Sequence, residues 1–164
     1  MKLLDIIGEK DEAIEYVERP TVKVVIQRDD EVLILNDGLL PGGGVDDGET
    51  HKQAIVRELR EELGVTVCDL QEIGQVIQYR NFLGKKYKVY GYTAELTSFT
   101  TTTSPQDAGE AAFAYQWMSK ADAVKYIVES IQKLKHTNPE ITDDTIQGAL
   151  YNRMTTIALL KAIK

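Results

Sequence analysis

Hydrophobic and polar positions alternate near the start of the chain in the way that paired β-strands require. The segment 21–27 alternates and is rich in β-branched residues, 28–31 has turn composition, and 32–35 is a short apolar run. This succession predicts a β-hairpin. Apolar residues are scattered among acids in the segment 1–19, which is therefore interpreted as either a short helix or an extra strand.

A second hairpin is predicted in the middle of the chain. Its strands are the β-rich segments 70–79 and 86–96, separated by a glycine-containing turn at 81–85. A polar, threonine-rich loop at 97–109 follows, which is either a flexible excursion or a cover for a neighbouring site. The segment 111–118 then predicts another strand.

Two segments after the first hairpin have apolar positions at helical spacing, 50–63 and 119–135. In the first of them, Thr50 and Gln53 have the spacing of a capping box, which predicts where the helix begins. Gly64 predicts where it ends, because glycine readily adopts the left-handed conformation that terminates a helix.

The last helical segment, 142–163, has an apolar stripe along one side. Such a stripe packs on its own domain or, in the alternative interpretation, on a second copy of the chain in a homodimer. The chain has 164 residues, near the ~150 expected of one domain, so residues 1–164 are predicted to form a single domain.

The composition is that of an ordinary globular protein, with 43% hydrophobic and 27% charged residues. No apolar run reaches the ~20 residues that cross a bilayer, and the first ten residues include acids, which predicts a cytoplasmic protein with no membrane partner. A formal net charge of −7 argues against a nucleic-acid partner. The lone cysteine, Cys68, is expected to be a small buried residue.

The most informative helix has three acids on one face. Glu58, Glu61 and Glu62 fall within an arc of about 100°, at spacings where like charges repel. Arg57 lies four positions before Glu61 and is expected to pair with it, whereas no base lies at helical spacing from the other two acids. The pattern is typical of a solvated helix face or of a site for a divalent cation such as Mg²⁺, with Mn²⁺ as a substitute.

Three consecutive glycines, residues 42–44, precede this helix. Alone they indicate an ordinary turn. Joined at fixed spacing to the acidic helix, they favour a loop whose backbone closely approaches a metal, so that a glycine carbonyl adds a ligand.

The stretch from Gly43 to Val65 resembles the Nudix box. Every specified position of that motif matches, at Gly43, Glu49, Arg57, Glu58, Leu59, Glu61, Glu62, Gly64 and Val65. The resemblance implies an α/β fold in which a mixed β-sheet lies between helices, an α/β/α sandwich. It covers a core of about 20–135, with a C-terminal helical extension at about 140–164.

The resemblance also implies Mg²⁺-dependent hydrolysis of the diphosphate linkage in a nucleoside diphosphate joined to another group, including a nucleoside triphosphate or an oxidised nucleotide. It implies metal ligands at Glu58, Glu62 and the Gly42 carbonyl, and makes Glu61 a third ligand or the base. Arg57 would orient the acids and Glu49 would hold the loop. Relatives often add an acid from a later loop, for which Glu110, and after it Glu95, are candidates; each is otherwise a surface acid.

Markers of several Nudix subfamilies are absent. Asn81 stands where ADP-ribose hydrolases have proline, Phe82 or Leu83 where dinucleoside polyphosphate hydrolases have tyrosine, and no coenzyme A or NADH pyrophosphatase sequence is present. Aromatic and basic residues around the second hairpin either bind a base and a phosphate or serve packing and solubility; they are Tyr79, Arg80, Phe82, Lys85, Lys86 and Tyr87. A non-catalytic nucleotide sensor and an RNA-decapping enzyme are the rival hypotheses.

Overall fold

The structure, a computed structural model, describes residues 1–99 and 114–164. Its strands are β1 (Leu3–Ile7), β2 (Val17–Arg28), β3 (Glu31–Leu35), β4 (Val65–Arg80), β5 (Lys85–Phe99) and β6 (Tyr115–Ser119). Its helices are α1 (His51–Leu63), α2 (Lys120–Thr137) and α3 (Asp144–Ala162).

The strands form one mixed sheet in the order β1-β4-β5-β2-β3-β6. Both predicted hairpins are present, as antiparallel β2/β3 and antiparallel β4/β5 joined by a short 3₁₀ turn at Asn81–Leu83. The pairs β1/β4 and β2/β5 are parallel. The open question about segment 1–19 is answered by β1, which begins at Leu3 and adds a strand to the edge of the sheet.

Helices cover both faces of the sheet, which confirms the predicted fold class. On one face α1 packs through Ala54, Ile55 and Leu59, all fully buried against β2, β3 and β5. On the other face α2 and α3 pack through a second apolar cluster that includes fully buried Ile127, Leu159 and Leu160. The apolar stripe of α3 therefore packs on its own domain.

The ends of α1 are where the sequence predicted them. Thr50 and Gln53 form both bonds of the capping box, because the Gln53 amide donates to the Thr50 hydroxyl and the Thr50 amide donates to the Gln53 side chain. Gly64 ends the helix in the left-handed conformation with φ of 62°. The helix that carries the box acids is thus fixed by local interactions at both ends.

One expectation from the sequence is wrong, and another can be compared with the structure only in part. Cys68 is exposed, not buried, because it lies on the outer part of β4 beside Asp69. The predicted loop 97–109 begins later than expected, since residues 97–99 still belong to β5, and its remainder lies outside the described residues, as do 111–113 of the predicted strand. None of the helices described is both long and apolar enough to cross a membrane.

Candidate active site

Residues 40–45, here called the box loop, run alongside β2 and pair with it through an isolated antiparallel bridge and further backbone hydrogen bonds. The Val24 amide donates to the Pro41 carbonyl at 3.0 Å, and the Val22 amide donates to the Gly43 carbonyl at 2.9 Å. These backbone bonds fix the loop between the sheet and α1. The loop peptides are thereby placed next to the acidic face of the helix.

Glycine is required at two positions of the box loop. Gly42 has φ of 122°, and a Cβ there would overlap the Val22 carbonyl. A Cβ at Gly43 would overlap the carboxyl group of Glu58. The absence of side chains thus lets a carboxylate of α1 rest directly on the loop backbone, as the glycine pattern indicated.

Arg57 connects the loop to the acids. Its Nε and Nη2 donate to the two carboxylate oxygens of Glu49 at 3.0 and 2.8 Å, and Nη2 also donates to the Gly44 carbonyl at 2.9 Å. Its Nη1 donates to Glu58 at 2.7 Å. The guanidinium lowers the pKa of Glu49 through these bonds, and Glu49 and Glu58 together raise the pKa of Arg57.

This arrangement corrects the predicted pairing of Arg57. The expected partner, Glu61, is 3.6 Å away, which is an ion pair without a hydrogen bond, and its side chain is 59% exposed. Glu58, which was expected to lack a basic partner, is the acid of the predicted acidic face to which Arg57 donates a hydrogen bond. The helical-spacing argument failed because the guanidinium turns toward the box loop, where Glu49 and the Gly44 carbonyl supply further acceptors.

Glu62 is held from the loop side. The Gly42 amide donates to its Oε2 at 2.7 Å. Burial raises the pKa of the Glu62 carboxyl, while the nearby Lys23 charge and the Gly42 bond act in the opposite direction. Glu62 is therefore a partly desolvated carboxylate in contact with the loop peptide.

Lys23 is the site residue that the sequence did not reveal. It projects from β2, and its Nζ donates to the carbonyls of Leu40 and Gly42 at 2.9 and 2.7 Å. Burial lowers the pKa of this lysine, and the charges of Glu62, Asp37 and Glu58 oppose that change. One sign of this role was present in the sequence, because the lysine lies between two valines inside the alternating run 21–27. A charged side chain in a buried strand requires polar or charged partners.

The donor set suits a hard divalent cation. Glu58 and Glu62 lie on adjacent turns of α1 against the box loop, and carboxylate and carbonyl oxygens are the ligands that Mg²⁺ and Mn²⁺ prefer. The three box acids do not converge on one point: in the part of the chain described, the group with ligand atoms within 4.8 Å of one another is exposed Cys68, Asp69 and Glu95.

Of the two candidates for a further acid, Glu95 is the one that the described residues include, and it does not join the box acids. Glu95 pairs with Cys68 across β4 and β5 and with Gln27 of β2. Gln27 is four residues beyond Lys23, a separation of about 13 Å along the strand. Glu110 lies outside the described residues, and its role stays a prediction.

Basic groups near the second hairpin are engaged within the fold. Arg80 donates to Asp144 of α3 at 2.7 Å and lies over the ring of Tyr87, and Lys86 bonds to Glu18 of β2 at 3.4 Å. These contacts support the packing interpretation of that cluster over the substrate-binding one.

Comparisons with known proteins identify the family that this chain resembles. A family model described as NUDIX domain matches residues 17–143. An NAD-capped RNA hydrolase NudC from Pseudomonas aeruginosa is 33% identical over 107 residues, 61% of this chain and 36% of the relative. An RNA pyrophosphohydrolase from Aeromonas hydrophila is 49% identical over 58 residues, 32% of this chain and 33% of the relative. The chain thus spans about a third of the length of these curated relatives.

Solved structures show the same fold. A MutT NUDIX hydrolase from Burkholderia pseudomallei superposes with a TM-score of 0.53 at 20% identity, over 83% of this chain and 98% of that one. A UDP-X diphosphatase superposes with a TM-score of 0.56 at 15% identity, over 90% of this chain and 63% of that one. At such identities the likeness concerns the fold alone.

Proposed function

The chain belongs to the NUDIX domain family, and on that premise we propose that it is a divalent-metal-dependent hydrolase of small nucleotides. The bond cleaved is the diphosphate linkage of a nucleoside diphosphate joined to another group, including a nucleoside triphosphate. The observation that carries the proposal is the contact of Glu58 and Glu62 with the box loop, which places two carboxylates of one helix face against the glycine backbone.

The metal would be held by Glu58, Glu62 and the carbonyl oxygen of Gly42. When bound, a divalent cation neutralises the diphosphate and activates water for attack on phosphorus. Glu61, the most exposed of the three box acids, is available as a third ligand or as the base that accepts a proton from water. Glu110 is a candidate for an additional ligand from the loop that follows β5.

The remaining box residues would position these groups. Arg57 holds Glu58 with one nitrogen and Glu49 with two, so that the carboxylate of Glu58 keeps one orientation relative to the loop. Glu49 also accepts a hydrogen bond from the amide of Asp46, the residue that follows the box loop, and so fixes the backbone there. These two residues act through Glu58 and the loop backbone, without a required contact to substrate.

The charge of the protein favours small nucleotides over RNA as substrates. The net charge is −7, and the basic residues Arg80 and Lys86 are already paired with acids of the fold. An RNA path needs unpaired cations along several phosphates. Two relatives named above act, by their names, on RNA, so RNA substrates belong in the test.

The test is a substrate panel with and without Mg²⁺ or Mn²⁺. It comprises nucleoside triphosphates, an oxidised triphosphate, a nucleoside diphosphate sugar, NADH, and 5′-triphosphate and NAD-capped RNA. We expect metal-dependent cleavage of at least one small nucleotide, and its loss in the Glu58→Gln variant. Turnover of the capped RNAs alone would favour the decapping hypothesis, and saturable nucleotide binding without any product would favour the sensor.

A further inference from the structure

Lys23 places a positive charge where the metal is proposed to bind. It lies in the middle of β2 between Val22 and Val24, which are fully buried. Its ammonium group donates to the Leu40 and Gly42 carbonyls at 2.9 and 2.7 Å. Gly42 thus accepts a bond from the Lys23 ammonium at its carbonyl oxygen and donates one to the Glu62 carboxylate from its amide.

A metal ion and this ammonium would be close neighbours at the same oxygen. A carbonyl oxygen has two lone pairs and can contact both. With a metal–oxygen distance of about 2.1 Å, however, the two cations would lie within about 5 Å of each other. Repulsion at that separation is strong in a partly desolvated site, because little water screens it.

The box loop is also held by bonds that do not involve the Lys23 side chain. The amides of Val22 and Val24 donate to loop carbonyls, and the Gly42 amide donates to Glu62. These bonds remain when the lysine side chain is replaced. The main consequence of removing the ammonium is therefore electrostatic.

We propose that Lys23 is a positioning residue that competes with the divalent cation for the Gly42 carbonyl and thereby sets the metal concentration at which the site fills. The ammonium compensates the charge of Glu58 and Glu62 until the metal arrives, and then leaves the carbonyl. This inference rests on the proposed function, since both concern the same metal site.

The test measures Mn²⁺ affinity without substrate, by electron paramagnetic resonance of the free ion. The Lys23→Met variant removes the charge and keeps the length of the side chain, whereas Lys23→Arg keeps the charge. Lys133→Met, at an exposed position of α2, is the control for overall charge. We expect Lys23→Met to bind Mn²⁺ about tenfold more tightly than wild type, Lys23→Arg to bind no more tightly, and Lys133→Met to differ less than twofold.

The possible outcomes distinguish a failure of the proposed competition from a failure of the proposed metal site. Unchanged or weaker Mn²⁺ binding by a folded Lys23→Met protein overturns the competition while leaving the metal site intact. Equal tightening in Lys133→Met also overturns it, because the effect would then be one of net charge. Failure of the wild-type protein to bind Mn²⁺ at all overturns both the competition and the proposed function.

A second measurement on the wild-type protein covers the case in which Lys23→Met does not fold. Nuclear magnetic resonance of protein with ¹³C at lysine Cε reports each ammonium environment, and the Lys23→Arg spectrum assigns the Lys23 signal. We expect that signal to shift toward those of the exposed lysines as Mg²⁺ saturates the site. A signal that is unchanged at Mg²⁺ saturation contradicts displacement of the ammonium.

Discussion

Two arginine clusters in this protein are built in opposite ways. Arg57 has four carboxylates within 4.0 Å, at distances from 2.7 to 3.6 Å, and its side chain is 29% exposed. Arg80, at the end of β4, pairs with one carboxylate among the described residues, that of Asp144 at 2.7 Å, and its side chain is only 8% exposed. The first cluster has an excess of negative charge and the second is balanced.

The difference separates the proposed metal site from a structural link. A buried ion pair is tolerated when each charge has its partner, and Arg80 joins the end of β4 to the first turn of α3 in that way. An excess of carboxylates costs stability unless a further cation compensates it. The negative charge of the Arg57 cluster therefore supports the proposed metal site, whereas the charges of Arg80 and Asp144 balance each other.

The largest expected effect tests the acidic cluster directly. Glu58→Gln or Glu62→Gln should lower turnover by at least ~10²-fold, because metal and phosphate binding are lost together. The fold should persist, since burial already raises the pKa of Glu62 and a neutral amide suits that environment. Circular dichroism and steady-state kinetics measure the two properties. Glu129→Gln, an exposed acid on α2, is the control, and wild-type turnover in both box variants would remove the assignment.

The next effect concerns stability alone. Arg80→Met should lower the free energy of unfolding by about 2 kcal/mol, because the bonds to Asp144 and the contact with Tyr87 are lost while Asp144 remains partly solvated. Thermal denaturation should show a melting point about 5 °C lower. Turnover per folded molecule should be unchanged.

An exposed pair gives the matched control for that variant. Lys10→Met breaks the ion pair with Glu12, whose side chain is 80% exposed, and should leave the melting point essentially unchanged because solvent screens the pair. A large loss of turnover in Arg80→Met with an unchanged melting point would return the second hairpin to consideration as a substrate-binding surface.

The smallest of the three effects tests the geometry of the Arg57 cluster. Arg57→Lys keeps the charge but cannot bind Glu49, Glu58 and the Gly44 carbonyl at the same time. We expect turnover to fall about tenfold with little change in melting point. Arg60→Lys, an exposed arginine in the same helix, should retain wild-type kinetics. Equal activity of Arg57→Lys and Arg60→Lys would show that position 57 needs only a positive charge and not the several hydrogen bonds that a guanidinium donates.

Local patterns were sufficient for much of the fold. The two hairpins and the bounds of α1 follow from turn composition, alternation and the capping pair Thr50 and Gln53, all of which involve residues close in sequence. Segment 1–19 was ambiguous because β1 is short and its pairing partner, β4, lies about 70 residues further along. Cys68 was misplaced because the outward side of a long strand offers no local sign of exposure.

The sequence by itself determined which residues of α1 share the acidic face, because the pitch of a helix fixes the relation of Glu58, Glu61 and Glu62. Only the tertiary structure decided which acid Arg57 binds and that Lys23 reaches the carbonyls of the box loop. The Lys23 bonds join β2 to the box loop across 17 and 19 residues, and the Arg57 bonds to Gly44 and Glu49 join the helix to the preceding segment across 13 and 8 residues. They depend on how the loop crosses the sheet, and the periodicity of one element carries no information about that crossing.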